Sequence, residues 1–175
     1  MAELPRKSLS LALRHQRGRQ IAGGWSAALE KVLGVSLGPD SFLPLEETDT
    51  LKALFFDRVK KNGSSTAKSV WSRDRKEALE AVFAQLAARV GPKRVILLSA
   101  VDEFIGAVRV RADLVLKSAF PVWSVVGRDL CIASESLDCG LCLEETLYDA
   151  SGEYVANGLY ELTSWGLLSQ TQPVD

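Results

Sequence analysis

Apolar residues recur every three or four positions in the first half of this chain. In the second half they alternate or gather in short runs. The first spacing is that of helices with one buried face, the second that of strands. Residues 7–21 place Leu9, Leu13, Gln16 and Gln20 on one stripe, with Leu11 and Arg14 beside it, and predict a weakly amphipathic helix. Gly23-Gly24 is expected to break it. A short helix from Trp25 to Leu33 follows and closes at Gly34. Residues 35–47, with Gly38-Pro39-Asp40 and Pro44, read as loop. Thr48 or Asp49 is placed to cap a helix over Thr50 to Lys61, whose Leu51, Leu54, Phe55 and Val59 share a face; Gly63-Ser64-Ser65 ends it. Ser64 to Trp71 reads as loop entering a helical turn. Ser72 caps the clearest helix, Arg73 to Val90, which carries Leu79, Val82, Phe83, Leu86 and Val90 and stops at Gly91-Pro92.

From Lys93 the pattern changes. Val95 to Leu98 is a short apolar run that predicts a strand buried on both faces. A strand over 106–111 and a helical turn over 112–117 follow. Val122 to Val126, Leu130 to Ala133, Leu141 to Tyr148 and Leu159 to Ser164 read as strands. Their separators are Gly127-Arg128-Asp129, Ser134 to Asp138, Asp149 to Gly152, and Asn157-Gly158, the last a short-range hairpin signal. Helices first and antiparallel strands afterwards predict one α+β domain: 1–92 helical, 93–166 mainly β, 167–175 a tail.

Charge follows the same division. Residues 1–94 carry 17 Lys and Arg against 10 Asp and Glu, whereas residues 95–175 carry 4 against 12. After Arg128 there is no Lys or Arg, yet nine carboxylates remain: Asp129, Glu135, Asp138, Glu144, Glu145, Asp149, Glu153, Glu161 and Asp175. All three tyrosines, Tyr148, Tyr154 and Tyr160, lie among them with Trp165. Aromatic side chains anchor protein interfaces, and complementary charge sets rate and specificity around them. The expected use of this segment is to bind a basic protein through Glu144, Asp149, Glu153, Tyr148 and Tyr154, with Asp138 and Glu161 behind them.

Catalytic patterns are sparse. Cys139 and Cys142 have redox spacing but stand at the start of a strand, where residues three apart face opposite ways. Adding Cys131 and the single His15 makes no zinc pattern, so no metal and no cofactor is expected. No nucleophile elbow, metalloprotease helix or phosphate loop is present. Glu144 and Glu145 are adjacent and face opposite sides of a strand, so they cannot serve one bond together. The enzyme alternative rests on Glu145, with Asp129 or Asp102, as a carboxylate of raised pKa in a pocket. A nucleic-acid alternative uses Arg14, Arg17, Arg19, Lys60-Lys61 and Arg75-Lys76, with Trp25 or Trp71 stacking on bases. The acidic half would repel phosphate, so nucleic acid is not the expected partner. Three cysteines, an odd number, and no long apolar run predict a cytoplasmic protein without a membrane span.

The stretches Leu141-Cys-Leu-Glu-Glu-Thr-Leu-Tyr148, Asp149-Ala-Ser-Gly-Glu-Tyr154 and Tyr160-Glu-Leu-Thr-Ser-Trp-Gly166 resemble the C-terminal sheet of small bacterial immunity proteins. Those proteins guard a cell against polymorphic and contact-dependent toxins. The resemblance implies a non-enzymatic cytoplasmic inhibitor that covers the active site of a cognate toxin, many of which are nucleases with basic clefts.

Overall fold

The computed structural model describes residues 4–61, 66–127, 129–149 and 151–168. It is an α+β fold in which N-terminal helices pack on an antiparallel sheet. Helix α1 spans Leu4–Leu33 and α2 spans Leu45–Lys60. Strand β1 (Thr66–Ser72) precedes α3 (Lys76–Val90). Then come β2 (Arg94–Leu98), α4 (Asp102–Ile105), β3 (Val108–Arg111), α5 (Ala112–Lys117) and α6 (Ala119–Val126). Strands β4 (Leu130–Ala133), β5 (Gly140–Tyr148) and β6 (Tyr154–Trp165) complete the sheet. Its order is β1-β6-β5-β4-β2-β3, and every pairing is antiparallel.

Alternation along the strands sends side chains to two cores. Val95, Leu97, Val108, Val110, Leu130, Ile132, Leu141, Leu143, Tyr160 and Leu162 face one way. The end of α1, with α3, α5 and α6, covers them through Leu29, Leu33, Leu79, Phe83, Leu86, Val115 and Val122. Ile96, Leu98, Cys131, Cys142 and Trp165 face the other way, under Leu51 and Phe55 of α2. This second cover is incomplete. Toward β1, Val70 remains 52% exposed, and Lys68, Glu161 and Glu144 share its open face.

Several elements match the hydrophobic pattern. The run at 95–98 is buried on both faces, and 108–111 is a strand followed by helix at 112–117. The Ser72 hydroxyl accepts a hydrogen bond from the Asp74 amide and caps the turn of 3-10 helix that leads into α3.

Other expectations are corrected. Gly23-Gly24 does not break α1. Glycine costs a helix only about 1 kcal/mol per residue, and packing of Leu29 and Leu33 in the core outweighs that. At Gly18, α1 lies so close to α4 that an added Cβ would meet the Phe104 carbonyl oxygen. Helix α2 begins at Leu45, directly after Pro44, so Thr48 and Asp49 are inside it rather than capping it. The Thr48 hydroxyl instead accepts from the Ala107 amide at 2.9 Å, and Asp49 pairs with Arg14.

The segment before Trp71 is strand β1, not loop, so 1–92 is not wholly helical. Ala67, Ser69 and Trp71 point to the main core, and only Trp71 is a large apolar signal. Residues 122–126 belong to α6, whose Val122 and Val126, four apart, are both buried; a short apolar run does not distinguish helix from strand by period. Asn157-Gly158 lies inside β6 and makes no hairpin turn. The Gly63-Ser64-Ser65 stop, Arg128, Ala150, the tail from Ser169 and the Leu9 side chain lie outside the described residues.

Candidate functional site

The β5–β6 hairpin places the expected binding residues. Its turn is organised by Asp149. One carboxylate oxygen accepts from the Ser151 amide (2.9 Å), the Ser151 hydroxyl (2.6 Å) and the Glu153 amide (2.9 Å). The Asp149 amide donates to the Glu153 carbonyl, and the Gly152 amide to the Asp149 carbonyl. Gly152 has φ +85°, a left-handed conformation in which glycine carries no Cβ penalty. The hydrogen bonds, led by that from the Ser151 hydroxyl, hold the Asp149 carboxyl below its ordinary range.

Just inside the turn, Tyr148 pairs with Tyr154 across the strands. Their rings meet edge to face, with centroids 6.1 Å apart and planes at 70°. Both remain open to solvent, at 59% and 64% exposure, beside the half-exposed Leu147. A bulge separates them from the regular sheet. The register steps from Thr146↔Leu159 to Tyr148↔Tyr154, and the Thr146 hydroxyl accepts from the Tyr148 amide at 3.1 Å. Gly158, φ +70°, permits this on the β6 side, where a Cβ would come within 2.8 Å of Arg73 Cδ.

Neighbouring strands end before the tip. β1 pairs with β6 only as far as Leu159, and β4 pairs with β5 only as far as Leu143. Tyr148, Asp149, Glu153 and Tyr154 therefore stand on a two-stranded arm with no third strand beside it among the described residues.

The other expected contacts do not join them. Glu144 and Glu161 are opposite each other on the open sheet face. Burial, then the charges of Asp129 and Glu161, raises the Glu144 pKa against the opposing effect of Lys68. Lys68 is 2.7 Å from Glu161. Asp138 is in the turn before β5, at the opposite end of that strand, and accepts from the Ser136 hydroxyl at 2.6 Å. Glu145 meets Arg73 at 2.9 Å on the covered face, and Glu135 meets Arg109 at 2.6 Å. The cation-free segment is thus partly neutralised by cations from β1, the turn before α3, and β3. The signal for two of these cations lay in the segment around Trp71, once β1 is placed beside β6.

Neither pairing considered for the enzyme alternative, Glu145 with Asp129 or with Asp102, is assembled. Glu145 faces away from the side on which Asp129 stands beside Glu144. Asp102 is completely buried and committed: its carboxylate accepts from Lys52 Nζ at 2.7 Å and the Ser99 amide at 3.2 Å. A cavity of about 440 Å³ does open on the side of α2, lined by Lys52, Phe56, Leu98, Glu103, Asp129 and Cys131 among others. Sequence reasoning missed Lys52, because its partner is 50 residues away and is itself invisible from the surface.

The nucleic-acid alternative loses its stacking groups. Trp71 is in the core, and the Trp25 indole donates to the Val125 carbonyl. Arg14 holds Asp49 through two hydrogen bonds of 2.7 and 2.8 Å, and Arg17 and Arg75 lie over the rings of Phe104 and Trp71.

The cysteine pair also differs from the spacing in sequence. Cys139 packs toward the main core and Cys142 toward the core under α2, as expected for residues three apart in this strand region. The neighbour of Cys142 is Cys131, directly across β4 and β5, with the sulfurs 3.0 Å apart. Among the described residues there is no cluster of side chains suited to a metal ion, and no helix long and apolar enough to cross a membrane. No family model, curated protein or solved structure matches the chain.

Proposed function

We propose that the protein is a cytoplasmic inhibitor that binds and neutralises a basic toxin domain, such as that of a nuclease, and that the β5–β6 arm is its docking element. The observation that carries this reading is the exposed Tyr148–Tyr154 ring pair, held at the base of the Asp149–Glu153 turn on a hairpin that no other described strand flanks. Large aromatic surface is costly to leave in water, and aromatic side chains ringed by charge are typical anchors of interfaces. The bulge and the Asp149 turn preorganise the arm, which lowers the entropy lost on docking. The acids at its tip would steer a cationic partner.

The geometry narrows the surface. Glu144 and Glu161 form a separate acidic patch on the open sheet face, and Asp138 is remote from both. The tip residues are the primary contacts in this reading, and the open face is a secondary one.

The test first asks whether the neighbouring reading frame encodes a toxin ending in a basic domain, and then measures association with that domain. Association should slow steeply from low to physiological salt, where the Debye length falls to roughly 8 Å. Glu153→Lys should slow association, and Tyr148→Ala with Tyr154→Ala should speed dissociation, with the fold intact. An association rate flat with salt, or unchanged kinetics in both variants, counts against the proposal. Asp149 is a poor choice for charge reversal, because its carboxylate builds the turn.

A further inference from the structure

Cys131 and Cys142 occupy directly opposed positions on adjacent antiparallel strands, and their sulfurs are 3.0 Å apart. A disulfide needs about 2.05 Å. The pair is therefore about 1 Å from covalent contact, with both backbones already in register. Both side chains are buried, at 2% and 0% exposure, but Cys131 lines the 440 Å³ cavity beside α2. A small solute held between Lys52, Phe56 and Asp129 would therefore lie against Cys131. Cys139, although closer in sequence to Cys142, packs on the opposite face and cannot compete.

We propose that Cys131 and Cys142 form a reversible cross-strand thiol–disulfide pair whose oxidant is a small hydroperoxide admitted through this cavity. The Cys131 sulfur gives up its proton and attacks the peroxide. The O–O bond breaks, and water or an alcohol departs, leaving a sulfenic acid on Cys131. The Cys142 thiol then attacks that sulfur. The S–O bond breaks, a water leaves with the Cys142 proton, and the disulfide forms. Two thiols are oxidised by two electrons, and the peroxide is reduced. Reaction at Cys131 first follows from its place on the cavity wall. The hydrogen bond to Cys142, burial, and the nearby charges of Asp129 and Glu144 push the Cys131 thiol well up. That makes the reaction slow at neutral pH and keeps the pair reduced when peroxide is scarce. Oxidation would draw in the floor of the cavity and link β4 to β5.

The proposal is independent of the docking function and is tested on the folded chain alone. The protein is incubated with hydrogen peroxide, quenched with catalase, denatured, alkylated and weighed intact. Of the three cysteines, one should alkylate after oxidation and all three after subsequent dithiothreitol. Peptide mapping should join Cys131 to Cys142. Cys139→Ser should form the same bond, and Cys142→Ala should stop at an oxygenated Cys131. Three free thiols under peroxide that fully oxidises glutathione in the same buffer overturn the idea. So does a bond mapped to Cys139.

Discussion

Glu144 and Glu161 stand directly opposite each other on β5 and β6, two carboxylates in one cross-strand pair. Like charges so placed are destabilising. Lys68 pairs with Glu161 at 2.7 Å, while burial and the charges of Asp129 and Glu161 raise the Glu144 pKa against the opposing effect of Lys68. The sign for stability follows from proton counting. A carboxyl with a raised folded pKa binds more protons in the native state between the unfolded and folded values, so stability falls as pH rises through that window. Glu144→Gln removes the penalty. At neutral pH its unfolding free energy should rise by about 0.2–1 kcal/mol, the range for cross-strand pairs, read as a higher urea midpoint. The gain should vanish below the ordinary glutamate pKa. An equal or lower midpoint at neutral pH means the pair is not repulsive.

The Lys52–Asp102 pair predicts the opposite kind of effect. Asp102 has no solvent exposure, and its carboxylate has Lys52 and the Ser99 amide as partners. Removing the cation leaves a buried charge without compensation, which costs about 3–5 kcal/mol in closed sites. The lysine is partly exposed, so Lys52→Met should cost about 3 kcal/mol, the lower end of that range. Asp102→Asn, which keeps a hydrogen-bonding group but removes the charge, should cost less. Chemical denaturation of both variants checks the order, and a reversed order rejects this account of the pair.

How far these relationships could be read from sequence depends on their range. Val95 to Leu98 announces itself because a strand covered on both faces has no polar alternation to dilute it. The β4–β5 hairpin was equally legible as Leu130 to Ala133, a turn at 134–138 and Leu141 to Tyr148, but its register was not: only Ala133 opposite Gly140 sets Cys131 against Cys142. β1 was not legible, because Ser69, Lys68 and Thr66 give it little apolar content and its partner β6 lies about ninety residues later. Without β1, the cations Lys68 and Arg73 could not be placed against Glu161 and Glu145. The acidic segment therefore looked more uniform than it is. The tip was legible as Tyr148, Asp149, Glu153 and Tyr154, but the true turn was Asp149 to Gly152 and not Asn157-Gly158, whose glycine serves a bulge.

Gly140 provides a test of the sheet's packing. It opens β5 opposite Ala133 and Trp165, and an added Cβ would lie 2.2–2.7 Å from three atoms of the Trp165 ring. That indole is fully buried and donates to the Leu137 carbonyl at 2.9 Å, so it has little room to turn. Gly140→Ala should destabilise by about 1–3 kcal/mol, the usual cost of overpacking a core. Trp165 fluorescence should shift to the red as the ring moves. A variant of unchanged stability and emission would mean that this part of the core yields freely.

The Asp149 turn makes a prediction confined to the arm. Its carboxylate accepts from the Ser151 hydroxyl and from the Ser151 and Glu153 amides, and these bonds hold its pKa down. A carboxyl with a depressed folded pKa contributes order that is fully present above the unfolded value and is lost as pH falls through the folded one. Because no other described strand pairs with the arm, that loss should stay local. On acidification, the protection of the Ser151 and Glu153 amides relative to their intrinsic exchange rates should fall while the β2 and β4 amides stay protected. Asp149→Ala should reproduce the same pattern at neutral pH, with little change in the global midpoint. Tyr148 and Tyr154 should then lose their fixed ring geometry, seen as weakened near-ultraviolet circular dichroism. If exchange rises instead across the whole sheet, the arm is not an independent unit, and its preorganisation cannot come from this turn alone.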